Sequence, residues 1–358
     1  MGNKCPQCGA AIMFQGLCLK CQKENEEKAI LEMNTEELEE EINNLAEDYD
    51  EDRCRLLIRL RGINTEKLAR AAWEDEEFDF PPVYKDAPDD VISEMIEELM
   101  DDDLGSRKAD KLLVCLAHRG GEAVLNAFRE LEENPREWRK KLHVDPHVYA
   151  NEGGWTFDKD GKVTETVFRK CYPVVGKTPK MREKSPVKLI TAADGVCECC
   201  GTKLVNIIEL DGRDKRLKLL GIDGKIALKS CLNCIPYNEN GFVRFDLNGW
   251  SEIVPEECNS EETDYPDPPD WVDELTENTF ALADKAMPEY YPFDDGSGSA
   301  VGGFPFWIDD CIIKDCPDCG KPMICLAQLG EDVHGYEGNV VVEVCRGCRV
   351  AAVLYQQT

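Results

Sequence analysis

Three pairs of C-x2-C motifs constrain the fold of this chain more than any other feature. CPQCGAAIMFQGLCLKC lies near the start, CECC and CLNC lie in the middle, and CPDC and CRGC lie near the end. Two residues between cysteines let both sulfurs reach one tetrahedral ion at about 2.3 Å. The spacing predicts three metal sites: Cys5, Cys8, Cys18 and Cys21; Cys197, Cys200, Cys231 and Cys234; and Cys316, Cys319, Cys345 and Cys348. In the second site, Cys199 is an alternative to a neighbouring ligand.

The cysteine usage also indicates the compartment and the kind of metal site. The chain has 19 cysteines, its start lacks an apolar signal segment, and its longest apolar run is LLVCLA at 112–117. We therefore expect a cytoplasmic protein with no membrane span, whose cysteines are thiolate ligands rather than disulfides. Four thiolates complete the coordination of zinc and leave no position for a substrate. The prediction is about three structural zinc ions and no enzymatic activity.

The charge of the chain favours one class of partner. Its net charge is −30, with fourteen acidic residues against one lysine in residues 24–52, and eleven acidic residues without a basic one in residues 252–277. Such a surface repels nucleic acid and attracts a basic protein, although acidic runs also serve solubility alone. The stretch KTPKMREKSPVK at 177–188 is a local basic exception.

Periodicity divides the chain into an α+β multidomain arrangement. We predict a zinc ribbon at 1–23, a helical region at 30–148, a first β-rich zinc module at 150–254, an acidic connector at 255–278 and a second β-rich zinc module at 279–358. Asn34 and Glu37 form a capping-box pattern, and Gly62 can end a later helix. The helical region is either a HEAT-like stack or a plain bundle.

The two β-rich modules are predicted to be copies of one another. CECCGTKLVNIIEL at 197–210 aligns without a gap to CPDCGKPMICLAQL at 316–329, and each segment is followed by a second cysteine pair. Cysteines alone recur by chance more easily than cysteines together with the matching Gly201 and Gly320 and the shared apolar spacing. The pattern favours an internal duplication.

Other chemical motifs are weak. His143 and His147 have i, i+4 spacing, but Pro146 between them disfavours a helix and hence a metal site. Cys171 has basic neighbours that are expected to lower its pKa, yet no histidine partner is evident for a nucleophile. The GSGSAVGG stretch at 296–303 precedes FPFW rather than a helix, and is expected to be flexible chain.

A family resemblance covers roughly residues 110–358. GGFPFWID at 302–309, CPDCGKPM, VVVEVCRGC and VAAVLYQQT resemble the bacterial YwqG-like family of uncharacterised proteins. The layout is also similar to that of programmed cell death protein 2, in which a GG-x-P-x-W segment precedes a C-x2-C pair. The resemblance implies protein binding: chaperoning of a ribosomal protein in the eukaryotic relatives, and immunity against secreted toxins in some bacterial members.

Three functions therefore remain as hypotheses. The first is a non-enzymatic zinc protein that sequesters or chaperones a basic partner. The second is an enzyme with a cleft between the two β-rich halves, and the third is a zinc-ribbon protein that binds nucleic acid. The GGFPFW segment is either a core corner beside a zinc module or an aromatic anchor in a binding cleft.

Overall fold

The structure, a computed structural model, describes residues 3–176, 185–256, 272–277, 280–293, 298–335 and 337–357. The basic stretch at 177–184, most of the predicted acidic connector and Cys258 lie outside these residues. Helices dominate the first third of the chain and strands dominate the remainder. The α+β class is confirmed.

The first third contains seven α-helices: α1 (Leu19–Glu32), α2 (Thr35–Glu47), α3 (Glu51–Arg61), α4 (Glu66–Glu74), α5 (Asp89–Leu99), α6 (Ser106–Arg119) and α7 (Glu122–Glu133). Short 3-10 helices in the same part of the chain cover Pro81–Asp86, Glu137–Lys141 and Pro146–Gly153. Two short helices occur later, α8 (Val272–Glu277) and α9 (Glu331–His334). Among the described residues, no helix is at once long and apolar enough to cross a membrane.

Local sequence explains where these helices begin and end. The Asn34 side chain accepts hydrogen bonds from the amides of Glu36 and Glu37, and the Glu37 carboxylate accepts one from the Asn34 amide, which confirms the capping box. Helix α3 ends at Gly62, whose φ of 58° is left-handed. The predicted helix boundaries at these two positions are therefore confirmed.

The strands, in chain order, are β1 (Asn3–Lys4), β2 (Ala11–Ile12), β3 (Trp155–Phe157), β4 (Val163–Glu165), β5 (Phe168–Gly176), β6 (Val187–Val196), β7 (Lys203–Asp211), β8 (Lys225–Ser230), β9 (Phe242–Phe245), β10 (Ser251–Ile253), β11 (Phe280–Leu282), β12 (Ala300–Gly303), β13 (Ile324–Leu329), β14 (Asn339–Cys345) and β15 (Val350–Gln356). Eight of them form an antiparallel sheet in the order β10-β9-β15-β14-β13-β12-β5-β11. Strands β6, β7 and β8 form a separate three-stranded sheet, and β1–β2 and β3–β4 are hairpins.

The large sheet differs from the predicted division into two β-rich modules. Strands β5 and β9 come from residues 150–254, yet they pair with β12 and β15 from residues 279–358, and β10 joins the same sheet by pairing with β9. The predicted connector at 255–278 therefore does not separate two sheets. The physical reason is long-range pairing: β9 pairs with β15 across more than a hundred residues, and neither strand carries a local signal of its partner.

Residues 298–303, the described part of the GSGSAVGG stretch, also differ from the expectation of flexible chain; residues 296–297 lie outside the described part. Ala300–Gly303 form β12, which lies between β5 and β13 and is buried along its whole length. Gly302 and Gly303 have φ of 76° and 87°, and a Cβ on either would lie within 2.6 Å of a neighbouring carbonyl oxygen. Glycine is required here because a side chain would collide with the backbone of the adjacent chain.

The GGFPFW segment joins the helical region to the large sheet through an aromatic core. The Phe304 ring stacks on Tyr290 at 4.3 Å, and the Tyr290 hydroxyl lies 2.9 Å from Nδ1 of the buried His118 on α6. Phe293 packs edge-on against Phe306. Burial lowers the pKa of His118 to about 3, so the ring is neutral. The packing supports a core corner for Phe304, but this corner packs against the helical region and not beside a zinc module as expected.

Candidate metal centres

Each of the three predicted sites is built on a turn of the same hydrogen-bonded form. The amide of the first cysteine donates to the carbonyl five residues later, and the amide of the glycine four residues later donates back to the cysteine carbonyl. The first of these distances is 2.8 Å at Cys5, 2.8 Å at Cys197 and 2.9 Å at Cys316. The glycine φ is 76° at Gly9, 75° at Gly201 and 61° at Gly320. The left-handed glycine returns the chain after the turn, which explains its place in all three motifs.

The twelve predicted sulfurs come together in three groups of four. Within each group all four sulfur atoms lie within 4.8 Å of one another. Four neighbouring pairs have the following separations: 3.5 Å for Cys8–Cys18, 3.6 Å for Cys197–Cys234, 3.5 Å for Cys200–Cys231 and 3.9 Å for Cys319–Cys345. Sulfurs bound to one tetrahedral ion at about 2.3 Å lie about 3.8 Å apart. The donor sets therefore fit a tetrahedral, thiophilic ion, and each can hold one.

The first group, which we name site 1, lies where the N-terminal hairpin meets a helix. Cys18 is the N-cap residue of α1, and Cys21 lies in the first turn of that helix. The Cys18 amide donates to Cys5 Sγ at 3.4 Å, and this contact is the main cause that lowers the pKa of Cys5 to about 6. A helix N-terminus also favours a thiolate over a thiol. Both effects favour the thiolate, which is the form that binds a metal.

The second group, site 2, lies at the end of the three-stranded sheet. Its first cysteine pair follows β6, and its second pair follows β8. A hydrogen bond from Cys234 is the main cause that lowers the pKa of Cys231 to about 6. The sulfurs of Cys197 and Cys200 belong to the group, and that of Cys199 does not. The structure therefore places Cys199 outside the ligand set. Cys199 is disulfide-bonded, so the expectation of thiolate ligands rather than disulfides is wrong for this cysteine.

The third group, site 3, repeats the geometry of site 2 in the large sheet. Its first pair precedes β13, and its second pair begins at the last residue of β14. Val205 pairs with Ser230 directly before Cys231, and the aligned Ile324 pairs with Val344 directly before Cys345. The same strand register thus sets both sites.

A shared irregularity strengthens this equivalence. The β7–β8 register shifts between Asn206 and Ile208, and the β13–β14 register shifts between Cys325 and Ala327. In the sequence alignment, Ile207 corresponds to Leu326, so the extra residue falls at the same place in both copies. A bulge at one matching position is a specific feature of strand pairing. The duplication predicted from sequence is therefore visible in the backbone.

The two duplicated sites differ in their surroundings. At site 3, Arg244 forms two hydrogen bonds of 2.7 Å with Asp318, inside the first cysteine pair. Asp318 is the main cause that raises the pKa of Arg244, and Cys316 and Cys348 add to it. At site 2, the neighbouring charges include Glu198 and Glu252. An Arg244–Asp318 ion pair thus lies beside site 3, whereas Glu198, Glu252 and Lys229 lie beside site 2.

Histidine takes no part in the metal-capable groups found among the described residues. His147 lies 3.1 Å from a carboxylate oxygen of Glu132 rather than beside His143. His334 is buried, and burial lowers its pKa to about 4.

Five of the remaining cysteines are buried away from the three groups: Cys54, Cys115, Cys171, Cys311 and Cys325. The expectation that basic neighbours lower the pKa of Cys171 is wrong. Burial raises the pKa of Cys171 to about 12, and Glu289 adds to the shift. The Cys171 thiol donates to the Pro288 carbonyl at 3.1 Å. Its neighbours Arg169 and Lys170 are exposed whereas the Cys171 thiol is buried, so burial outweighs the positive charge that is close in sequence.

Comparison with known proteins gives one distant relative. The chain is 27% identical over 306 residues to the uncharacterised protein YpfL of Salmonella typhimurium strain LT2, and the match covers 82% of this chain and 69% of that protein. No protein-family model matches the chain. No solved structure matches it. The similarity thus relates the chain to a bacterial protein of uncharacterised activity.

Proposed function

We propose that this protein is a zinc-stabilised, non-enzymatic binding protein that sequesters or chaperones a basic protein. The observation that carries the proposal is the net charge of −30 on a fold whose metal-capable groups, among the described residues, are all four-cysteine sets. Zinc in such a set has no open position, so its contribution is folding free energy. The chemistry that remains is that of the surface.

Helix α2 illustrates the surface on which the proposal rests. Glu39, Glu40 and Glu47 are exposed, and none of them pairs with a cationic side chain of the described residues. Uncompensated carboxylates produce a negative potential that steers a basic partner and falls off with salt. The same carboxylates also keep the protein soluble. An experiment is therefore needed to separate partner binding from solubility.

The finer parts of the proposal come from the sequence. They are a zinc ribbon at site 1, a HEAT-like or plain bundle of helices, a cytoplasmic location and membership of the YwqG-like family. A secreted toxin with a basic surface is the partner that this resemblance implies. The similarity of this chain to the uncharacterised bacterial protein YpfL supports a bacterial family.

A capture experiment tests the proposal. The full-length, zinc-loaded protein is immobilised and exposed to lysate of the source cell at low and at moderate salt, and bound proteins are identified. The proposal predicts a discrete basic protein that is retained at low salt and weakened at moderate salt. Capture of no basic protein at either salt concentration contradicts it.

A further inference from the structure

A groove beside site 2 combines negative charge with an exposed aromatic side chain. It has a volume of about 890 Å³ and lies between the three-stranded sheet and the edge of the large sheet. The Lys229 amide on β8 donates to Ser251 Oγ on β10 at 3.1 Å, and the Lys225 amide donates to the Leu247 carbonyl at 2.9 Å. These bonds fix the distance between the two walls, so the groove is preformed.

Carboxylates outnumber cations along this groove. Glu198, Glu239, Glu252 and Glu256 line it, and Lys229 is the one cation among the described lining residues. Glu198, Glu239 and Glu252 are exposed and form no ion pair with a cationic side chain of the described residues; the Lys314 ammonium donates to the Glu239 backbone carbonyl at 2.9 Å. Cys231 and Cys234 of site 2 lie in the wall. Four thiolates around one divalent ion add a further net negative charge.

Trp250 supplies an aromatic face at the rim. Its side chain is 54% exposed, which leaves a large aromatic surface open to a ligand. Asp246 fixes the turn that presents it, because one carboxylate oxygen accepts from the amides of Asn248 at 2.7 Å and Trp250 at 2.9 Å. Val196, 59% exposed, also lines the groove. An exposed indole beside carboxylates favours a cation above its ring face.

We propose that this groove binds an arginine- or lysine-rich segment of a partner protein, with a cationic side chain on Trp250 and neighbouring cations paired to Glu198, Glu239 and Glu252. The inference rests on the proposed function, because it names the surface through which a basic partner docks. An arginine side chain suits the groove best, since its planar guanidinium stacks on an indole and pairs with a carboxylate at once.

The test uses the full-length, zinc-loaded protein and a fluorescein-labelled peptide of ten arginines, followed by fluorescence anisotropy at low ionic strength. The groove variant carries Glu198→Gln, Glu239→Gln and Glu252→Gln. The matched control carries Glu74→Gln, Glu97→Gln and Glu133→Gln, which are exposed, lie on α4, α5 and α7 and form no ion pair among the described residues, so both variants lose the same charge. The groove variant is expected to bind the peptide about tenfold more weakly, and the control nearly as tightly as the wild type.

A second pair of variants isolates the aromatic contact. Trp250→Leu keeps an apolar side chain but removes the ring, and is expected to weaken binding by about two- to fivefold, whereas Trp250→Phe retains most of the affinity. The zinc content of every variant is measured, because Glu198 lies within the Cys197–Cys200 turn.

The outcomes separate the two proposals. The groove is supported if the groove triple variant alone loses affinity for the peptide, and if Trp250→Phe binds the peptide more tightly than Trp250→Leu. Equal loss in both triple variants overturns the groove while leaving a basic partner for the acidic surface as a whole. A wild-type protein that does not bind the peptide at low ionic strength contradicts the proposed function itself.

Discussion

Replacing Cys200 by serine removes one of the four sulfurs of site 2, while replacing Cys199 by serine changes its immediate neighbour and leaves the group intact. Cys200 Sγ lies 3.5 Å from Cys231 Sγ, close to the distance of about 3.8 Å expected for two ligands of one tetrahedral ion. A closed four-thiolate site binds zinc with about 10–16 kcal/mol of apparent free energy, so one ligand accounts for about 3–4 kcal/mol. Because about 1.4 kcal/mol corresponds to a tenfold change in affinity, we expect Cys200→Ser to weaken zinc binding at site 2 by about two to three orders of magnitude.

The assay is competition for zinc with a chromogenic chelator, followed by the release of each ion from the folded protein. The wild type and Cys199→Ser are expected to release zinc from site 2 in the same range of chelator concentration. Cys200→Ser is expected to release one ion far earlier than the other two. Because sites 1 and 3 are unchanged in both variants, they serve as internal references.

Two results would refute this reasoning. Early release of zinc from Cys199→Ser, with retention in Cys200→Ser, would make Cys199 the ligand and invalidate the observed grouping. Unchanged release from both variants would show that site 2 does not depend on four sulfurs.

Three further predictions concern stability. Burial raises the pKa of Glu152 to about 8 from its ordinary value of 4.5, and Asp310 and Asp110 add to the shift. Between these two pH values the folded protein keeps a proton that the unfolded chain loses. The free energy of unfolding therefore falls as pH rises from about 4.5 to about 8. Glu152→Gln should remove on the order of 2–4 kcal/mol of this pH dependence in urea titrations, and an unchanged slope would contradict the assignment. Asn34→Ala breaks the capping box and should lower the unfolding free energy by about 1 kcal/mol, whereas no change in the denaturation midpoint would show that α2 does not depend on its cap. Phe304→Ala should cost about 3–5 kcal/mol by the same measurement, while the half-exposed Phe14→Ala should cost little; equal effects would argue against the aromatic core.

The parts of the structure that the sequence predicts well are those set by local spacing. The turn at Cys316 needs two intervening residues, a following glycine and the hydrogen bond from Gly320, and all of these are contiguous in the chain. The capping box at Asn34 and the helix end at Gly62 are similarly local. The gap-free alignment of residues 197–210 with 316–329 predicted a repeat whose strand register and bulge then proved equivalent.

The parts that sequence could not predict depend on distant pairing and on which face of a strand is buried. Strand β12 contains two glycines and has no alternating pattern, yet pairing with β5 and β13 makes it a central strand. The low pKa expected for Cys171 was wrong because the thiol is buried while its basic neighbours along the chain are exposed. The groove beside site 2 forms only when Trp250 on one sheet meets Glu198 near another.

The central claim is that twelve cysteines saturate three metal ions. Native mass spectrometry of the full-length protein, expressed with zinc and kept reduced, measures this directly by the mass difference between the native and the acid-denatured chain. The account predicts three zinc ions in each folded chain, none of them lost on mild desalting. A folded chain that carries fewer than three zinc ions would contradict it.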